Sequence, residues 1–209
     1  QNALTTAPIA PTLFRLALPN MLAMTAAALV SIAETWYVGY LGTLPLAGMA
    51  LAQLCLAARD SGDTVWPGKA YQRFKDADNM TDRINALSAL VNSGHQLASA
   101  ALARFHALFK GEDLVLDKWF ALQAAKCDVQ GDVLPAVRQL LAHPDFSLLN
   151  PNRARSLIFS YCSANPGAFH RTDAGGYVFW SERVLELDAT NPQVAARLAR
   201  ALDRWSTLA

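Results

Sequence analysis

The amino-acid sequence predicts an all-α protein, and three observations carry that expectation. Apolar residues recur at helical spacing from Asp78 onward, and no run alternates with period two between turn signals. Asn-Pro recurs at 150–151, 165–166 and 191–192. In that dipeptide the Asn side chain caps free amides, and Pro takes the first helical position, where an amide would go unpaired anyway.

The elements begin with an uncharged segment. Residues 1–58 hold only two charged side chains, Arg15 and Glu34, so the rest of the charge lies in 59–209. The run Leu16–Ala33 has no charge, nor has Thr35–Ala58. The second run would extend about 36 Å as a helix, against a hydrocarbon core of about 30 Å. One or two hydrophobic, membrane-type helices are therefore expected in 1–58. A carboxylate such as Glu34 within them would be costly to bury, which marks it as a functional candidate. The apolar region is too long, and its start too poor in basic residues, for a cleavable signal peptide.

The second region, 59–209, reads as an ordinary charged helical domain. Asn79 looks like a helix start. Ile84, Leu87, Leu90 and Val91 then share one face; Leu97, Ala101, Leu102, Phe105, Leu108 and Phe109 form the next stripe. Leu134, Val137, Leu140 and Leu141 repeat the pattern, as do Val194, Leu198, Leu202 and Trp205. Gly94, Gly111, Gly131 and Gly175-Gly176 mark element ends. The result is about seven helices of roughly 10–18 residues with short loops, hence antiparallel neighbours. Asn150 and Asn191 stand 41 residues apart, close to the period of an armadillo/HEAT-like helical-pair solenoid.

The formal net charge of +1 gives no electrostatic case for a nucleic-acid partner. Cys55, Cys127 and Cys162 are odd in number and far apart, as expected of reduced thiols in apolar surroundings. No H-E-x-x-H occurs, and His95, His106, His143 and His170 have no partner at ligand spacing. No G-x-S-x-G or phosphate-cradling glycine loop is present. Trp119-Phe120 and Phe179-Trp180 read as packing aromatics, and Asp113, Asp117, Glu182 and Glu186 as helix-surface or first-turn charges.

Two resemblances follow from particular motifs. LFRLALPNMLAMTAAALVSIAETWYVGYLGTLPLAGMAL, with ALP early and a carboxylate late in the first helix, resembles the opening of multidrug and toxic compound extrusion (MATE) transporters over about residues 5–52. That likeness implies a cation-coupling role for Glu34, which stands where the family often has Asp. FKDADNMTDRINALSALV, LARFHALFKGEDLVLDKWFALQA and HPDFSLLNPNRARSLIFSYCSANPGAFHR resemble the C-terminal helical domain of bacterial aminopeptidase N over about residues 54–209. So does the segment containing NPQVAARL.

The second resemblance implies a truncated, armadillo-like bowl that closes over the active site of a zinc aminopeptidase and restricts peptide entry. It places the catalytic zinc in a preceding domain, leaving this chain with no cofactor of its own, and the last helices of the bowl beyond Ala209. Arg155 in NPNRARSL and Arg197 in NPQVAARL are implied to line the substrate channel. Peptides are the implied partners, met through the catalytic domain, and the location is cytoplasmic unless residues 1–58 insert in a membrane. The two likenesses together suggest a chimeric or fragmentary reading frame. The alternatives are a fragment of an efflux transporter and a membrane-anchored helical peptide-binding module.

Overall fold

The computed structural model describes residues 43–129 and 131–203. Among them there are eleven α-helices, one π-helical segment and one 3₁₀ turn, with no strand. The helices are α1 (Thr43–Ser61), α2 (Val65–Asp76), α3 (Met80–Ser93), α4 (Leu97–Phe109), α5 (Asp113–Ala124) and α6 (Val133–Leu141). After a loop come α7 (Pro151–Ala154), the π segment Arg155–Phe159 and α8 (Ser160–Ala164). Then follow α9 (Pro166–Phe169), α10 (Gly175–Thr190), α11 (Pro192–Ala199) and the 3₁₀ turn Arg200–Leu202. The expected seven helices are more numerous because Asn-Pro and the π segment cut the later half into short pieces.

Local sequence explains where these helices start and stop. The Asn79 side chain accepts from the Asp82 amide, which opens α3. Asn150 accepts from the amides of Asn152 and Arg153, Asn165 from Ala168, and Asn191 from Val194, each with Pro following. Asn165 does more than cap. Its amide nitrogen donates to Ala124 O at 3.0 Å and Lys126 O at 2.8 Å, satisfying carbonyls at the end of α5. Helix α3 ends on Gly94, whose φ of 66° is open to glycine at little steric cost.

Contact divides the chain into two compact units, residues 1–49 and 50–209, and the apolar core belongs to the second. Within it α2 packs on α3, α5 on the π segment and on α6, and α10 on α11. The expected faces are the buried ones: Leu87, Leu90 and Val91 on α3, Ala101 and Phe105 on α4, Val137 and Leu140 on α6, and Val194 and Leu198 on α11. Leu108 departs from its stripe and is exposed. Trp205 lies outside the described residues. Trp119 and Trp180 are packing groups whose indole N–H donates to Leu102 O and Leu198 O, both at 3.0 Å.

The expectation of membrane-type helices is corrected where the structure describes the segment. Among the described residues, no helix is long and apolar enough to cross a membrane. Helix α1 carries the latter part of the second uncharged run but continues through Arg59 and Asp60. It buries Leu51, Cys55 and Ala58 on the protein core, so its apolar residues form a packing face. The cysteine expectation also needs correction. Cys55 and Cys162 are buried, burial pushing the Cys162 thiol up to about 12, but Cys127 is exposed.

Candidate functional site

Polar chemistry in this all-helical domain concentrates where α4, α5 and the loop before α7 meet. Arg153, in the first turn of α7, is only 2% exposed. An arginine so buried needs its charge and its donors satisfied. Its Nε donates to Asp117 Oδ1 at 2.6 Å, and one terminal nitrogen donates to Asp113 Oδ1 at 3.1 Å. The other terminal nitrogen donates to the carbonyl of Asp145. The guanidinium also lies over the Phe120 ring, 5.1 Å from its centroid. Asp113 and Asp117 are one helical turn apart on α5, which brings both carboxylates to the same cation. Arg153 thereby ties α5 to α7 and to the loop between α6 and α7.

That loop carries the second part of the cluster. His106 Nε2, from α4, stands 2.6 Å from Asp145 Oδ2, and His143 Nδ1 stands 3.8 Å from the same oxygen. The Asp145 amide donates to His143 Nδ1 at 3.1 Å. Aromatic neighbours fix both rings: His106 lies 5.0 Å and His143 5.3 Å from the Trp119 ring, centroid to centroid. The hydrogen bond from His106 holds the Asp145 carboxyl below the usual carboxylate range. Burial pushes the His143 imidazole below its ordinary value, against the pull of the Asp145 charge.

A family model described as a domain of unknown function (DUF3458_C) with ARM repeats matches residues 41–209. The chain belongs to that family. As a DUF3458_C domain it is similar to aminopeptidase N of Caulobacter vibrioides, 43% identical over 132 residues, and of Escherichia coli, 43% identical over 133. These matches cover 63% and 64% of the chain but 15% of either relative, so the chain spans a small part of their length. Among solved structures it is similar to the crystal structure of Legionella pneumophila aminopeptidase A in complex with aspartic acid. The TM-score is 0.63 at 32% identity, over 67% of this chain and 16% of that one. The family match takes in residues 41–58, which the sequence reading grouped with the transporter-like segment.

The residues singled out from motifs of the DUF3458_C domain occupy different places. Arg197 is exposed on α11 and lines an open depression of about 590 Å³ with Phe159, Cys162, His170, Arg200 and Asp203. Arg155 is exposed on the π segment and is not among the residues lining that depression. Glu34 lies outside the described residues.

Four residues have partners that the sequence did not reveal. Arg153, two positions before Arg155 in NPNRARSL, is the buried arginine of that motif, and Asp117 is its partner rather than a surface charge. The signal available was the pair Asp113 and Asp117 at helical spacing, two like charges calling for a cation. His106 and His143 do have a partner, contrary to the expectation from spacing. For His106 the partner stands 39 residues on, and only packing of α4 against the later loop brings it to Asp145, which lies two residues after His143.

Proposed function

We propose that this chain is the non-catalytic helical domain of a zinc aminopeptidase, which in the complete enzyme closes over the active site and controls peptide access. The observation that carries this reading is the 43% identity to aminopeptidase N in two bacteria. It occurs on a chain whose sequence has no H-E-x-x-H motif. In that motif two histidines hold zinc and the glutamate is the general base. In the complete enzyme the zinc ligands and the general base would therefore come from another domain.

In the complete enzyme, Arg155 and Arg197 would meet the peptide away from the scissile bond. A guanidinium fork suits a carboxylate, and exposed cations beside a cavity draw acidic chain ends toward it. The exposure of both arginines supports that role. The test has two arms. Purified chain with added zinc is expected to leave an alanyl chromogenic substrate untouched, and chelator-sensitive hydrolysis would overturn the non-catalytic reading. In a complete aminopeptidase carrying this domain, replacing either arginine by Ala should raise KM for longer peptides more than for an amino-acid anilide. Equal effects on the two substrates would remove both residues from the channel.

For residues 1–42 the transporter-like reading, with Glu34 as a cation-coupling carboxylate, is a separate proposal supported by the uncharged run Leu16–Ala33. Membrane contact is tested by carbonate washing: chain recovered wholly in the wash would sink it.

A further inference from the structure

We propose that His106, His143 and Asp145 form a binding site for a borderline divalent transition-metal ion, of the zinc or cobalt(II) class, joining α4 to the loop before α7. This goes beyond the reading as an access-controlling domain and does not depend on it. Its two histidines come from separate segments, and no H-E-x-x-H glutamate stands between them.

The geometry is the first argument. One ligand atom from each of the three residues lies within 4.8 Å of the other two. In a tetrahedral site with bonds of about 2.0–2.1 Å, donor atoms stand roughly 3.3 Å apart. The His106–Asp145 contact of 2.6 Å must open and the His143–Asp145 separation of 3.8 Å must close, each by roughly half an ångström or a little more, and the two imidazole nitrogens, within 4.8 Å of each other, must also draw together. The three side chains are 19%, 26% and 25% exposed, which leaves an entry path and room for water in a fourth position.

Chemistry selects the class of ion. Two imidazoles and one carboxylate suit zinc and its neighbours, whereas magnesium and calcium prefer oxygen donors throughout. The Nδ1 of His143 accepts a hydrogen bond from the Asp145 amide, so its lone pair already faces the loop. An ion there replaces that amide. It also displaces the hydrogen between His106 and Asp145, the His106 ring then carrying its proton on Nδ1.

The surroundings hold the donors in place and set the local charge. The Trp119 ring supports both imidazoles, and Phe120 lies 5.7 Å from His143. Arg153 fixes the backbone of Asp145. The charged groups facing the site are Asp145, Lys110 and Arg153. Arg153 is neutralised by Asp113 and Asp117, leaving Lys110 as the cation that opposes an incoming ion.

The test uses the full chain without an affinity tag, stripped of metal, titrated with zinc chloride and, in parallel, cobalt(II) chloride. The expected result is binding of one ion per chain, a raised melting temperature, and a cobalt visible band of four-coordinate intensity. His106→Gln, His143→Gln and Asp145→Asn should each weaken binding at least tenfold, while His95→Gln and His170→Gln leave it unchanged. If a variant loses its helical circular dichroism, wild-type NMR decides the case. Zinc should then move the imidazole nitrogen resonances of His106 and His143 and leave those of His95 and His170 in place. The proposal is overturned if zinc moves neither, or if binding follows Cys127, His95 or His170 instead.

Discussion

Replacing Arg153 by alanine is expected to cost the domain about 3–5 kcal/mol of folding stability, the range for removing one partner of a buried ion pair. The guanidinium is 3% exposed as a side chain, and Asp117 is 14% exposed, so its removal leaves a nearly buried carboxylate with no cation. Asp113 contributes much less, because at 82% exposure water replaces its partner. The change also releases the Asp145 carbonyl and the packing over Phe120. Arg153→Lys should recover only part of the loss, since an ammonium cannot reach Asp117, Asp113 and the Asp145 carbonyl with one planar fork. Urea unfolding of the three variants checks the order: Arg153→Ala worst, Asp117→Ala next, Asp113→Ala within about 1 kcal/mol of the parent. If Asp113→Ala is as damaging as Arg153→Ala, the buried Asp117 pair is not what holds this junction.

Gly176→Ala is expected to be similarly severe, for a steric reason. A Cβ at position 176 would fall 2.0 Å from the carbonyl oxygen of Phe169, well inside contact distance. The obstacle is backbone of α9, so no rotamer change relieves it, and α9 and α10 must separate. Phe169 and Phe179 are both fully buried there, and Tyr161 packs edge-on against the two of them at 6.1 and 5.2 Å. A forced shift in such a core costs about 3 kcal/mol or more. Gly68 provides the control, because a Cβ there meets nothing within 4 Å and its site is helical. Gly68→Ala should leave stability unchanged or raise it by up to about 1 kcal/mol. Thermal melts of the two variants check the contrast. Equal melting temperatures would mean that α9 and α10 do not approach as closely as described.

Local chemistry in the sequence determined the all-α class, the Asn-capped helix starts at 79, 150, 165 and 191, and the apolar faces of α3, α6 and α11. Each of these depends on residues within one or two turns of one another, so spacing alone reveals them. The stretch Thr43–Ala58 shows the limit of that reading. A continuous apolar run is compatible with lipid or with a protein core, and only the burial of Leu51, Cys55 and Ala58 shows α1 facing a core. The same limit explains the polar cluster. Nothing local in NPNRARSL marks Arg153 as its buried arginine; that is set by Asp117 on a helix 36 residues earlier. His106 looked solitary because metal or ion-pair partners are recognised in sequence only at short, regular spacing. Packing of α4 against the loop before α7 brought it to Asp145, two residues after His143, and such long-range placement is decided by tertiary structure because it depends on how whole helices bury their apolar faces.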